Sequence, residues 1–300
     1  MKTLRTILTI TMIAFGLNTF AQSYAFKVLA NKGTNQVKTG ETWAPLKTGS
    51  TLKSTDMIKV SANAYIGLMH AAGKTIEVRD AGTYKISELE AKVPKGSGVG
   101  GKYADYLASK MTAEGQKNRL SATGAVHRAL TSASINVYLP QSVQIYGQTA
   151  IISWEPVEGD NITYKVNLSN MFGDNLLSEE TTNTYYELDL TDNKIENNDV
   201  ILLAISTADD EDVKSEVIPI KKVKEDKKAQ VKQGLNELMT DVNEKTALNK
   251  YILAGFYEDN NLLVDALTSY EEAIALAPEV EYYKEAKDDF LIRNGLKKSN

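Results

Sequence analysis

The stretch 248-LNKYILAGFYEDNNLLVDALTSYEEAIALAP-278 decides how this chain is divided. Leu253, Ala254 and Tyr257 are followed by Ala266, Tyr270 and Ala273, so apolar residues recur three and four positions apart. That spacing puts them on one face of a helix. Just upstream, Ala229, Val231, Leu235, Leu238, Met239 and Val242 keep the same period, and downstream "EVEYYKEAKDDFLIRNGL" continues it. Residues 227–296 therefore read as a helical segment. Before it, alternation with a period of two dominates, so the expected fold class is a multidomain β plus α chain.

Two blocks carry the alternation. In the first, residues 24–90, "YAFKVLA", "DMIKVSA", "YIGLMHA" and "TIEVRDAGTYKI" alternate apolar and polar side chains between Gly, Asn and Asp. Half-buried strands joined by turns have this pattern, and six to eight short strands are expected. In the second, residues 134–223, seven runs follow at intervals near ten residues: "INVYLP", "SVQIY", "TAIISWEPV", "ITYKVNLS", "YYELDL", "VILLAIS" and "SEVIPIKKV". That rhythm predicts an all-β sandwich.

Between the blocks, Ala91 to Gly101 holds four glycines and a proline, the composition of a flexible tether. "GSGVGG" lacks the Lys-Ser/Thr ending that a phosphate loop needs. Tyr103, Tyr106, Leu107 and Met111 then sit at helical spacing, so 91–133 is expected to be a Gly-rich linker with a short helix. The basic run Lys221 to Lys228, interrupted by Glu225 and Asp226, reads as a solvated linker.

The first residues, "MKTLRTILTITMIAFGLNTFAQS", place Lys2 and Arg5 before an apolar run that stops at Asn18. This is the layout of a secretory signal peptide, residues 1–21, with cleavage expected after Ala21. The run is shorter than the roughly 20 apolar residues of a membrane span. The expected product is exported, periplasmic or secreted, soluble, without a membrane span after cleavage. With no Cys in the chain it is no lipoprotein and has no disulfides. Net charge is −5, without the clustered basic footprint of nucleic-acid binding.

Three resemblances add to this reading. "VLANKGTNQVK" and "WAPLKTGSTLKSTDMIKVSANAYIGLMHAAGKTIEV" resemble the periplasmic domain of FecR-like proteins, with Gly33, Gly49, Asp56, Ala64, Leu68, Gly73 and Ile76 on its pattern. That resemblance implies a β-rich envelope module for residues 24–90. The sigma-regulating members carry a cytoplasmic segment before a membrane helix; with only about five residues ahead of the apolar run, neither is expected here. The spacing of Trp154, Glu155 and Pro156 with Tyr164 and Val166 resembles fibronectin type III or Ig-like domains, which implies a core Trp with the Tyr beside it. Ala247 to Glu279 is similar to one tetratricopeptide repeat, with Lys250 in place of its first-helix aromatic. The resemblance implies small residues where two antiparallel helices meet and Pro278 closing the second.

One repeat cannot bury its own face. Either the flanking helices complete a bundle or a partner chain does, a homodimer through the tail included. Candidate partner-binding residues are Tyr257, Tyr270, Tyr282 and Tyr283, of which Tyr257 and Tyr270 match core positions of the repeat.

Catalysis needs a nucleophile or a matched acid and base within reach. The chain offers only His70 and His127 and has neither HExxH nor GxSxG. His70 is expected to cap a strand, and His127, beside Arg128, to be structural. The acidic run Asp209 to Glu216 lacks the spacing and turn Gly of a Ca²⁺ loop and reads as a charged hairpin that keeps a sheet edge soluble. No catalytic, cofactor or metal residue is assigned. The function expected is a non-catalytic cell-envelope scaffold that holds envelope proteins through its β modules and its tail, with the tether raising their effective concentration. The alternatives are a FecR-type accessory regulator of envelope signalling and a glycan hydrolase working through paired carboxylates.

Overall fold

The computed structural model describes residues 24–93, 135–140, 143–239 and 245–297, with Lys102, Tyr103, Tyr106 and Ser109. The expected leader, nearly all of the expected Gly-rich tether, His127 and Val242 lie outside these residues.

The first alternating block forms eight strands, β1 (Phe26–Lys32), β2 (Gln36–Thr39), β3 (Thr42–Pro45), β4 (Thr51–Leu52), β5 (Met57–Val60), β6 (Tyr65–His70), β7 (Thr75–Val78) and β8 (Gly82–Lys85), and a short helix α1 (Ile86–Glu90). They pair into two antiparallel sheets, ordered β4-β1-β6-β7 and β3-β2-β5-β8. Phe26, Val28, Leu52, Ile58, Ile66 and Leu68 share one core.

β6 explains the chain's organisation. Successive side chains of a strand point to opposite faces, yet Tyr65 to Met69 are buried without a break. Ile66 and Leu68 enter the core of this N-terminal unit, whereas Tyr65 and Met69 enter a second core made with the C-terminal helices. The register of β1 against β6 shifts between Val28 and Ala30. Leu29 and Ala30 join the second core too.

The central unit contains β9 (Val143–Ile145), β10 (Thr149–Ser153), β11 (Tyr164–Ser169), β12 (Asn175–Thr181), β13 (Tyr185–Asp189), β14 (Val200–Thr207) and β15 (Ile218–Lys222). A two-stranded sheet, β10-β13, and a five-stranded sheet, β12-β11-β14-β15-β9, enclose a core that includes Trp154, Tyr164, Val166, Leu203 and Ile205. β9 runs parallel to β15 and the other pairs are antiparallel. The strands differ from the expectation in two places. "INVYLP" contributes only an isolated bridge, Val137 to Trp154, and β12, which the period-two pattern does not show, is an additional edge strand. Its sequence NLLSEET is half-buried to exposed throughout.

Four helices follow: α2 (Glu225–Met239), α3 (Ala247–Asp259), α4 (Leu263–Leu276) and α5 (Glu281–Arg293). Only Val223 and Lys224 separate β15 from α2, so the basic run is a short joint in place of an extended linker. Thr246 caps α3 by accepting from the Asn249 amide at 3.3 Å. Asn261, at φ +57°, turns the chain tightly into α4. Ala254, Ala266 and Ala273 are fully buried between the helices. Among the described residues no helix is long and apolar enough to cross a membrane.

Candidate functional site

The C-terminal helices occupy a seam against both β units. On the N-terminal side, Gly67 of β6 leaves room for Leu248 of α3. A Cβ there would lie 3.1 Å from Leu248 Cδ1 and 3.4 Å from Ala30 Cβ. Glu77 of β7 accepts from the Leu248 amide at 3.0 Å, placing a carboxylate on the first turn of α3, where the helix dipole favours it. Thr75 Oγ1 donates to Asn249 Oδ1 at 2.6 Å. Arg79 pairs with Glu77 at 3.2 Å and with Glu279 at 3.1 Å, and it lies 4.9 Å over the Tyr65 ring.

On the central side, α4 supplies the polar partners. Asp265 accepts from the amides of Tyr146 (3.0 Å) and Gly147 (2.7 Å) in the β9–β10 turn. A Cβ on Gly147 would lie 3.1 Å from Asp265 Oδ1 and from the Thr149 carbonyl oxygen, so a side chain there would press on the carboxylate. Thr268 Oγ1 accepts from the Ile151 amide at 2.9 Å, covering β10. Burial pushes the Asp265 carboxyl up to about 6, against the pull of the two amides and of Lys227. Perturbed carboxyls often mark catalytic sites. This one has its oxygens taken by backbone donors.

The four tyrosines expected to meet a partner are distributed unevenly. Tyr270 and Tyr283 are fully buried, and Tyr257 and Tyr282 are half-buried. Tyr283 shares a 2.7 Å hydrogen bond with Tyr65 of β6, and Tyr282 shares one of 3.1 Å with Tyr251 of α3. Tyr257 stacks at a tilt on Tyr146, 6.4 Å between ring centres. Tyr270 and Tyr283 thus belong to the chain's own interior and are corrected as docking residues. Desolvation pushes the hydroxyls of Tyr65, Tyr251, Tyr270 and Tyr283 upward, so they stay neutral. Flanking helices do contribute, Val231 and Leu238 from α2 and Phe290 and Leu291 from α5. The β units add Leu29, Ala30, Tyr65 and Met69 to the same core, a contribution that neither sequence alternative included. Tyr103, at the expected short helix, packs edge to face on Phe256 of α3 at 5.2 Å.

A second buried group ties α5 to α3. Arg293 donates twice to Glu258, at 2.7 Å each, and once to Tyr270 Oη at 3.1 Å, while Asn294 donates to the same carboxylate at 3.0 Å. Such a planar, bidentate pair satisfies both charges away from water.

His70 ends β6 as expected of a strand cap. Its Nδ1 accepts from the Ala72 amide at 3.0 Å and its ring packs on Phe26. In the acidic loop, Glu211 pairs with Lys165 at 3.0 Å and Asp210 Oδ1 accepts from the Asp212 amide. Among the described residues no group of three or more His, Asp or Glu is placed to hold a metal ion. A half-open cleft of about 320 Å³ lies between the β9–β10 turn, Thr191, Lys222 and Lys228.

The two β units contrast in net charge. Residues 24–93 carry ten Lys and Arg against six Asp and Glu, hence +4. Residues 135–223 carry five Lys against sixteen Asp and Glu, hence −11. On the outer face of β3-β2-β5-β8, register aligns Trp43, Lys38, Met57 and Lys85 in one row, with Lys59 in the next. On the five-stranded sheet, Leu202 sits between Ser169 and Pro219. The β11–β12 turn beyond them exposes Met171 by 67% and Phe172 by 92%.

No family model matches this chain, and no curated protein does.

Proposed function

We propose that this chain is a non-catalytic, exported cell-envelope interaction protein, in which a FecR-like β module and an Ig-like β module are held by a tetratricopeptide-like tail as one scaffold. One observation carries the reading. The aromatic face of the helical tail, the surface that a lone repeat would offer to a partner, is taken up by Tyr65 and Leu29 of one β unit and meets the other through Asp265 and Thr268. A chain that uses its helices in this way fixes the relative position of two outer sheet faces. Partners are then expected on those faces rather than on the tail. The tail acts as a clamp, and the effective-concentration argument moves from the tether to the fixed spacing of the faces.

The test is photo-crosslinking in intact cells, with the crosslinker in turn at Lys59, Val217 and Glu285, followed by fractionation. The reading expects envelope proteins joined at Lys59 or Val217, none at Glu285, and a mature chain lacking residues 1–21. Adducts found at Glu285 alone, or a chain kept in the cytoplasm, would remove it.

A further inference from the structure

The C-terminal end of α3 is covered by residues that belong to neither β unit nor to the other tail helices. Lys102, Tyr103, Tyr106 and Ser109 are helical, and Ser109 Oγ donates to the Tyr106 carbonyl at 2.6 Å, one turn back. Tyr103 is 7% exposed and sets its ring edge to face on Phe256. Lys102 pairs with Asp259 at 3.2 Å and lies 4.9 Å over the Tyr103 ring. The Tyr106 hydroxyl donates to the Glu258 carboxylate, with Arg293 close by. A short strap thus crosses α3 at Phe256, Glu258 and Asp259.

The surface under the strap is held by other elements. Phe256 is backed by α2, where a Cβ on Gly234 would lie 3.0 Å from Phe256 Cε2 and 3.2 Å from Cζ. Glu258 is fixed by Arg293 and Asn294 of the α5 end. Asp259 closes α3, where the helix dipole favours a cation. An aromatic ring, a hydrogen-bond acceptor and an anion are therefore in place before anything covers them, which is how ligand sites are usually made.

The strap itself has far less to hold it. It buries one large side chain, Tyr106 is half-buried, and its ion pair joins side chains that are 67% and 34% exposed, a kind that contributes little. A helix this short does not hold by itself. It follows the stretch Ala91 to Gly101, with its four glycines, and belongs to a long connection between Val93 and Ile135. Freeing a segment within so long a connection changes the closure entropy only slightly, and elements with few buried contacts open first.

We infer that the end of α3 is a helix-docking site and that the strap is its occupant in cis, a latch that lifts to admit a helical segment with the same Lys-Tyr-x-x-Tyr face from another chain. The three positions read the incoming helix directly: a ring on Phe256, a cation at Asp259 and a hydroxyl at Glu258. Recognition of this kind uses one helix face with anchors a turn apart. The latch goes beyond the scaffold reading, which concerns the sheet faces and holds with the strap docked or lifted.

Fluorescence anisotropy of a labelled peptide of residues 101–111, GKYADYLASKM, against the full chain tests it. A segment that stays docked about nine times in ten at an effective concentration of about 1 mM binds in trans with a Kd of about 0.1 mM. Tyr103→Ser with Tyr106→Ser empties the site in cis, so this variant should bind the peptide near that value. The wild-type chain, whose open fraction is small, should bind at least tenfold more weakly. Asp259→Lys added to the double variant should weaken binding at least threefold, and a peptide with both tyrosines replaced by Ser should bind neither chain. Should the double variant melt at a lower temperature, Lys102→Glu is read in its place: it keeps both tyrosines, sets a carboxylate against Asp259 and should admit the peptide at least threefold more tightly than wild type. Equal binding to wild type and variant, no binding to the variant read, or binding that survives loss of the peptide's tyrosines each overturns the inference.

Discussion

Gly67 of β6 and Leu248 of α3 fit together so closely that a Cβ on the glycine would lie 3.1 and 3.2 Å from the two leucine methyls. The strand has no side chain here because the helix supplies one. Gly67→Val should therefore overpack the seam and cost about 1–3 kcal/mol. Leu248→Ala leaves a cavity instead and should cost about 2–5 kcal/mol. Urea unfolding followed by fluorescence checks both, and unchanged midpoints would show that α3 does not depend on this contact.

Asp265 gives the fold a pH dependence of defined sign. Its folded carboxyl titrates at about 6 against an ordinary value of 3.8, so between these values the folded chain binds a proton that the unfolded chain does not. Stability from this group rises as pH falls through 6 towards 4 and is lost as pH rises through 6, by at most about 3 kcal/mol. Asp189 is shifted the other way, by the Thr191 hydroxyl and amide, so its contribution is fully present above 3.8 and is lost only as pH falls below that value. Asp265→Asn should flatten the change in unfolding free energy between pH 7 and pH 5. An unaltered slope would place the titrating group elsewhere.

The Arg293–Glu258 pair is nearly dry, with 14% and 4% of the side chains exposed. Arg293→Met leaves a buried carboxylate without its cation and should cost about 3–5 kcal/mol. Adding Glu258→Gln should restore part of that loss, because the uncompensated charge is then gone. A double variant less stable than Arg293→Met would mean that Glu258 is held chiefly by its other donor, Asn294.

Tyr65 and Tyr283 share one hydrogen bond between two buried hydroxyls. Tyr283→Phe removes one of two partners of the Tyr65 hydroxyl, Glu77 being the other, and should cost about 0.5–1.5 kcal/mol. Alkaline titration by absorbance should leave a group of the chain's fifteen tyrosines silent in the folded state and reveal them in denaturant. If all titrate together in the folded chain, the tyrosine seam is wet.

Much of this fold is visible in local pattern. The helical period at Ala247 to Glu279 and the alternation of both β units follow from side chains that face one core. Trp154 and Tyr164 do pack edge to face in the central core, 5.3 Å between centres. What local pattern did not supply is the docking. Alternation separates a buried from a solvated face, whereas Tyr65 to Met69 are buried on both, so YIGLMH reads as an ordinary strand unless its unbroken apolar run is taken as a sign of two covered faces. β12 was hidden for the opposite reason, an edge strand whose residues face mostly water. Asp265 carries no motif at all, since its partners are the backbone amides of Tyr146 and Gly147, about 120 residues away in sequence.

The central claim is that the helical tail clamps two β units into one body, and a distance measurement tests it most directly. The chain has no native cysteine, so Thr83→Cys in the N-terminal unit and Asn193→Cys in the central unit give two unique spin-label sites. Pulsed electron resonance on the dilute protein should return a single narrow distance, which broadens when Leu248→Asp unseats α3. A broad distribution in the chain with its native Leu248, or a narrow one that Leu248→Asp leaves unchanged, would contradict the clamp.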